Sequence, residues 1–330
     1  MLTIRPFQST DDDYNAVVAI QNAVWPDQPE TVAWWRYRDQ IRNRQYFYHS
    51  LLVEADGQIV ASGYCMETPW SYRPGKYALG ITVHPAYERR GIGAMLYEHI
   101  INLLAARSLP PTLLVSNVRE DKTQGVRFLQ QRGFQQVMRS PISRLDLAGF
   151  DGSRFATVQH KVQAAGIELY TMPELAKIDL DHRQKIYELD WQCTLDEPLP
   201  DAPTKPSFED YSKFFFDNPN FIPEACFIAV DKSEHGKSEH GKSEYVGLSN
   251  LFHNPGQPTT INTGFTAVLR THRRRGIATA LKLRAITYAQ QHGYAAIKTG
   301  NEENNPMLAI NLMLGFVPQP AWLDFQKIIQ

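Results

Sequence analysis

No uninterrupted apolar run in the chain is long enough to cross a bilayer, and the opening Met1-Leu2-Thr3-Ile4-Arg5-Pro6 lacks a basic segment followed by an apolar core. No membrane association is expected, and the reading is cytoplasmic. Cysteine is scarce: Cys65, Cys193 and Cys226 are scattered, odd in number and without metal-ligand spacing, which argues against both a disulfide framework and a metal site. Charge of one sign is lacking too, since a net charge of −1 and a pI near 6.8 leave no excess for counterion-driven nucleic-acid binding. The basic run His272-Arg273-Arg274-Arg275 is therefore a local patch. Two nucleotide signatures are absent: there is no G-x-x-x-x-G-K-[ST], and no G-x-G-x-x-G followed by an acidic residue after the next strand. A P-loop nucleotidase and a dinucleotide dehydrogenase both fit poorly.

What is present is present twice. Glu88-Arg89-Arg90-Gly91-Ile92-Gly93 and Arg273-Arg274-Arg275-Gly276-Ile277-Ala278 each lead from an apolar extended segment into a helical pattern. Gly133-Phe134 and Gly315-Phe316 then close a later helical stretch in each half, and the two glycine separations agree to within three residues. With 330 residues, 43 % of them hydrophobic, the chain is long enough for two cores. The expected organisation is a first domain at 1–147, a linker at 148–165 around Gly149-Phe150-Asp151-Gly152, and a second domain at 166–330.

Each half reads as mixed α/β. In the first, Ser50–Glu54 and Gln58–Tyr64 flank the Asp56-Gly57 turn, Lys76–Val83 leads into the glycine motif, and Ile92, Leu96, Ile100, Leu103 and Leu104 share a helical face. A strand at Pro111–Val115, a helix at Lys122–Arg132 and a last strand at Phe134–Leu145 complete it. The second half repeats the order with strands at Cys226–Val230, Tyr245–Phe252 and Asn262–Val268, a helix from Ile277, then strand, helix and strand at Ala295–Thr299, Asn304–Leu314 and Phe316–Ile329. Aromatic, proline-rich segments, Trp25–Tyr48 and Trp191–Pro223, precede the two sheets and either wall a pocket or cover a sheet face. The tandem Lys232-Ser233-Glu234-His235-Gly236 and Lys237-Ser238-Glu239-His240-Gly241 reads as a flexible hairpin tip, not a metal site.

The chemistry follows from the repeated motif. Backbone N–H groups at a helix start form a concave, partly positive nest for phosphate oxygens, and small residues let a ligand approach. Gly91, Gly93, Gly276 and Ala278 hold the positions where closeness matters, while Arg89, Arg90, Arg273, Arg274 and Arg275 offer charge-assisted contacts. The expected ligand is a pyrophosphate presented to a strand edge.

These residues, with Asn301-Glu302-Glu303-Asn304-Asn305-Pro306-Met307 and the Gly315-Phe316 pair, resemble the GNAT superfamily of acyl-CoA-dependent N-acetyltransferases, whose pattern is R/Q-x-x-G-x-G/A. The second copy satisfies every position, and the first has Glu88 where Arg or Gln is usual. The tandem layout resembles that of the mycothiol synthases. The resemblance implies two tandem GNAT folds, each a mixed, mostly antiparallel sheet flanked by helices with a V-shaped acyl-CoA cleft. It implies acetyl-CoA as co-substrate, no metal, an unidentified small amine as acceptor, and direct attack of that amine on the thioester. It assigns acetyl-CoA binding to Val268, Leu269, Arg273, Arg274, Arg275, Gly276, Ile277, Ala278, Asn304 and Asn311. The matching places in the first copy are Val83, Arg89, Arg90, Gly91, Ile92 and Gly93, with Lys122 where the second has Asn304.

The family's usual acid, a tyrosine four residues before Gly-Phe, is replaced by Leu129 and Asn311. No carboxylate lies between Asn262 and Val268, so His253 is the candidate base and Asn262 a water-ordering partner. The acidic residues Asp196, Glu197, Asp201, Glu209 and Asp210 attract a cationic amine or form a solvated loop, the plainer reading being the loop. The second domain is expected to be catalytic and the first degenerate. The competing reading is an acyl-CoA-binding sensor or scaffold without turnover, and nothing in the sequence fixes an oligomeric state.

Overall fold

The computed structural model describes residues 1–233 and 244–329, so the greater part of the Lys232–Lys242 tract lies outside the described residues. The chain divides into two compact units that are not contiguous in sequence. Unit 1 comprises Met1–Arg139, Pro200–Thr204 and Trp322–Gln330, and unit 2 comprises Ser140–Leu199 and Lys205–Ala321.

Unit 1 runs β1 (Leu2–Pro6), α1 (Asp11–Val24), α2 (Val32–Ile41), β2 (Tyr48–Ala55), β3 (Gln58–Glu67), β4 (Lys76–Val83), α3 (Ile92–Ala105), β5 (Leu113–Arg119), α4 (Thr123–Gln130) and β6 (Gln135–Ser140). Unit 2 runs β7 (Ile142–Asp146), α5 (Ala156–Ala164), β8 (Ile167–Thr171), α6 (Met172–Ala176), α7 (His182–Thr194), α8 (Phe208–Phe214), β9 (Phe221–Asp231), β10 (Glu244–His253), β11 (Thr260–Val268), α9 (Ile277–Gln291), β12 (Ala296–Gly300), α10 (Pro306–Met313) and β13 (Val317–Pro318). The last strand, β14 (Trp322–Ile328), belongs to unit 1.

Both sheets have seven strands among the described residues, ordered β1-β2-β3-β4-β5-β14-β6 and β13-β7-β12-β11-β10-β9-β8. Matched position by position, they are the same sheet with one strand exchanged. The stretch expected as the first half's closing strand breaks at Pro141, and its second part, β7, pairs antiparallel with β12. The stretch expected to close the second half breaks between Pro318 and Trp322, and β14 pairs with β5. Proline removes a ladder donor and so ends a strand at each breakpoint. Leu145 of β7 packs into the second core and Leu323 and Phe325 of β14 into the first.

Helices cover the sheets because their apolar faces match them. In unit 1, Ile92, Leu96, Ile100 and Leu104 of α3 are almost fully buried in the core, with the helix lying on β3 and β4. In unit 2, Ile277, Ala280, Leu281 and Ile286 of α9 fill one face, and an aromatic-rich layer with Tyr187, Tyr211, Phe215, Phe216 and Phe221 fills the other. Burial on that scale, about 2 kcal/mol for each large side chain, is what holds the central strands in place.

Candidate active site

In each unit one pair of neighbouring strands is parallel and comes apart. β4 and β5 pair only over Lys76–Ala78 with Leu113–Val115, and β11 and β12 only over Thr260–Asn262 with Ala296–Lys298. Past those residues β4 and β11 continue beside β3 and β10 while losing their other neighbour. The result is a V whose open edge is a bare strand. Leu269 N–H donates to Val246 O and His84 N–H to Val60 O, each at 2.9 Å. Backbone groups alternate along a strand, so Val268 and Val83, one residue earlier, turn their N–H and C=O to the open edge.

The nest lies immediately beyond. Arg89 and Gly91 have φ of 60° and 80°, and Arg274 and Gly276 have φ of 66° and 84°. The same left-handed pair is thus built twice, before α3 and before α9. A non-glycine residue in that region costs roughly 1 kcal/mol, and both copies keep one. The backbone gives these glycines a purpose of their own. A Cβ on Gly91 would meet nothing within 4 Å, and one on Gly276 would meet Val158 Cγ1 of α5 at 3.3 Å. The positive φ alone favours glycine at both positions. At Gly93 a Cβ would make an ordinary 3.5 Å contact with Phe128, and Ala278 already carries one at the matching place.

The arginines divide into two roles. Arg273 folds back along β11: its Nε donates to Val268 O at 3.0 Å and its Nη2 to Asp196 Oδ2 at 2.6 Å, while Arg270 also pairs with Asp196. It braces the strand end. Arg274 and Arg275 are exposed, as are Arg89 and Arg90, although Arg90 Nη2 also donates to Ala86 O at 3.0 Å. Glu88 stands at the matching place in the first copy and is exposed.

The remaining expected residues are not gathered together. Asn305, not Asn304, caps α10, accepting from Met307 N–H at 2.9 Å, while Asn304 bonds Glu302 through both its N–H and its Nδ2. Asn311 is fully buried, donates to Asn301 Oδ1 at 2.6 Å, and leaves its own Oδ1 without a partner among the described residues. Asn262 stands where β11 and β12 part, paired with Lys298. His253 is paired with Ile261 in the ladder, at the closed end of the V, roughly 20 Å along β11 from Val268. It is exposed and hydrogen-bonded to Tyr294 Oη at 2.8 Å, so the structure does not bring it to the open edge.

The units differ beside the V. In unit 1, Arg119 at the end of β5 is 5 % exposed, ion-paired with Asp27 and Asp121 at 2.5 and 2.7 Å, and Lys122 Nζ donates to Val24 O at 2.7 Å. Trp25 lies under both cations and packs at a tilt against Trp322. The loop after α1 is thereby laced onto the strand end. In unit 2, β12 stops at Gly300, around whose Cα there is open space.

The sequence reading missed one group, Asp190 of α7. Burial pushes its carboxyl up to about 7, Tyr211 beside it favours the ionised form, and Glu197 opposes it. Asp190 lies one residue before the Trp191–Pro223 segment, and a lone aspartate in a helix carries no signal of its own. A separate cavity of about 600 Å³, lined by Gln159, Glu168, Glu174, Lys177 and Arg284 among others, lies between α5, β8, α6 and α9 and includes no residue of β11 or β12. Among the described residues there is no cluster of metal-ligating side chains and no helix long and apolar enough to cross a membrane.

Comparison with solved structures gives the same architecture over the full length. A tandem GNAT protein from the clavulanic acid biosynthesis pathway superposes with a TM-score of 0.74 at 19 % identity, covering 99 % of this chain and 98 % of that one. A GCN5-related N-acetyltransferase from Sphaerobacter thermophilus superposes at 0.71 and 17 % identity, covering 100 % and 96 %. An uncharacterized protein of Bacillus subtilis (strain 168), YkzC, is 35 % identical over 88 residues, 26 % of this chain, and the match spans 58 % of that relative's length. The acetyltransferase (GNAT) family itself matches residues 14–134 and 183–316, once in each repeat. With two parting strand pairs, each running into the same left-handed turn and helix, the chain belongs to the GNAT acetyltransferases and carries two GNAT domains.

Proposed function

We propose that the protein transfers an acetyl group from acetyl-CoA to a primary amine of a small molecule by direct attack of the amine on the thioester, and that unit 2 performs it. The observation that carries this reading is the bare edge of β11 running into the Arg274–Gly276 turn at the start of α9. On it, Val268 and Leu269 border the thioester and pantetheine arm, and the backbone of Gly276, Ile277 and Ala278 with exposed Arg274 and Arg275 receives the pyrophosphate. The Val268 N–H is the donor toward the carbonyl oxygen, whose charge grows as the amine adds. Arg273 keeps the strand end in place through Val268 O. Asn304 and Asn311 flank the pantetheine side from the α10 end, and Asn262 marks the apex of the V. Unit 1 keeps the nest of Val83, Arg89, Arg90, Gly91, Ile92 and Gly93 as a second, non-catalytic acyl-CoA place.

A scaffold without turnover is the second reading. It is favoured by Leu129 and Asn311, which supply no phenol where the family has one. Incubating the protein with acetyl-CoA and a panel of primary amines, with thiol detection of released CoA, separates the two. Amine-dependent CoA release supports transfer, and an acetyl-CoA-induced rise in melting temperature without any release supports the scaffold.

A further inference from the structure

Resting on the reading of unit 2 as an N-acetyltransferase, we propose that Asn250 of β10 is a positioning residue for the transfer: its side chain clamps a bulge in β11 and so fixes the aim of the Val268 N–H at the thioester carbonyl. The bulge lies in the register. Ser249 pairs with Thr266 and Leu251 with Thr263, so Asn250 faces both Gly264 and Phe265. An extra residue of this kind bends a strand and increases its twist. Here it falls between Asn262, the last β11 residue paired with β12, and Val268 at the open edge.

The Asn250 side chain closes the gap that the extra residue leaves. Its Oδ1 accepts the Phe265 N–H at 2.9 Å, and Phe265 has no partner of its own in the ladder. A Cβ on Gly264 would overlap both Asn250 Oδ1 and the Phe252 ring, so glycine is what lets the amide come this close. Next to it, Ser249 Oγ and Thr266 Oγ1 lie 2.9 Å apart, both residues buried. Gly264 itself is exposed in a strand whose Ile261, Thr266 and Val268 are buried. The sheet is therefore open to solvent at the bulge, on the stretch that β12 has left.

Two observations separate this arrangement from a need of the fold. Asn250 is fully buried, and its Nδ2 has no hydrogen-bond partner among the described residues, so the amide is held in place against the penalty of an unmet donor. An apolar residue would avoid that penalty. Unit 1 supplies the second observation: β3 and β4 pair without a shift from Ala61 opposite Val83 to Glu67 opposite Tyr77, and the Tyr64 ring takes the space that a Cβ on Gly80 would need. A straight strand suffices there for the same sheet.

An oxyanion donor lowers the barrier only when it points at the oxygen as charge grows on it, so a small change in strand direction alters rate more than binding. The clamp holds the stretch from Phe265 to Val268 at one end, and Arg273 holds it at the other through Val268 O. The nest of Gly276, Ile277 and Ala278 lies beyond both. Loss of the clamp should therefore appear in kcat and spare acetyl-CoA binding.

The test uses the full-length protein with acetyl-CoA and alkyl primary amines as acceptors. Asn250→Leu, similar in volume but without the amide, should lower kcat about 50-fold while the KM for acetyl-CoA and the acetyl-CoA-induced melting shift stay within about twofold of wild type. Asn250→Asp keeps an accepting oxygen and should return kcat to within about tenfold of wild type. Deletion of Gly264, which gives this stretch of β11 the residue count of β4, should fold, bind acetyl-CoA and lose kcat to a similar degree, and it carries the test where Asn250→Leu does not fold. In the wild-type protein the Phe265 amide proton should exchange about tenfold or more slowly than that of exposed Gly264. A kcat near wild type in folded Asn250→Leu or in the Gly264 deletion overturns the proposal, as does a rise in the acetyl-CoA KM as large as the fall in kcat, or a Phe265 amide that exchanges as fast as that of Gly264. Wild-type protein that binds acetyl-CoA and releases no CoA with any amine overturns the enzyme reading and the role of Asn250 together. Turnover by wild type that the variants match leaves the enzyme reading standing and removes the role of Asn250 alone.

Discussion

At the scale of residues, one buried amine has no counter-ion among the described residues. Lys282 of α9 is 3 % exposed, 5.4 Å above the Phe316 ring, and burial lowers its pKa from 10.5 to about 7. The unfolded chain holds that proton up to pH 10.5 and the folded chain only below about 7, so stability should rise with pH across this window and the penalty be full below it. Lys282→Met should raise unfolding free energy near pH 6 by on the order of 2 kcal/mol or more, and flatten the dependence toward pH 9. Denaturant melts at the two pH values check it, and unchanged slopes would show that the amine is solvated. At the matching place of α3, six residues after its glycine, unit 1 has Tyr97, equally buried and contacted by Lys327 Nζ at 3.3 Å. The motif glycines make a second residue-level case. Gly91→Ala should cost about 1 kcal/mol from the left-handed φ alone, and Gly276→Ala more, because its Cβ also meets Val158. Equal costs in chemical denaturation would mean that α5 yields freely. The sequence located these glycines by their repeat, while the left-handed φ that favours them is not visible in a list of residue types.

At the scale of elements, the exchange of β7 and β14 is the feature that periodicity did not disclose. Alternating apolar residues such as Leu145, or Leu323 and Phe325, announce a strand with one buried face. They say nothing about which of two similar sheets receives it. The breaks at Pro141 and between Pro318 and Trp322 were the only local marks, and the expected boundaries at 147 and 166 passed over them. Truncation after Ala321 should therefore damage unit 1, since β14 lies inside its sheet between β5 and β6. A fragment of residues 1–147 alone should be poorly folded, and co-expression with 148–330 should restore it. Far-UV circular dichroism and hydrogen exchange of β5 and β6 amides report this. Native-like protection in the isolated fragment would contradict the exchanged topology. The helices were legible for the opposite reason. Ile92, Leu96, Ile100 and Leu104 recur at helical spacing and bury where expected, whereas His253 looked available only because a strand end has no visible distance from the motif.

At the scale of the whole molecule, a duplicated acetyltransferase fold carries two nests of the same backbone shape and two different surroundings. Unit 1 ties Arg119 and Lys122 to the loop after α1, while in unit 2 Arg273 and Asp196 brace the end of β11. Transfer is proposed for unit 2. The most direct measurement is amine-dependent CoA release, at varied acetyl-CoA, by two charge-reversed proteins: Arg274→Glu/Arg275→Glu and Arg89→Glu/Arg90→Glu. All four side chains are exposed, so the fold should survive each change. The predicted result is a KM for acetyl-CoA raised about tenfold or more in the first protein, consistent with losing charge-assisted phosphate contacts, and a nearly unchanged KM in the second. Loss confined to the Arg89→Glu/Arg90→Glu protein would contradict the assignment and make unit 1 the seat of transfer.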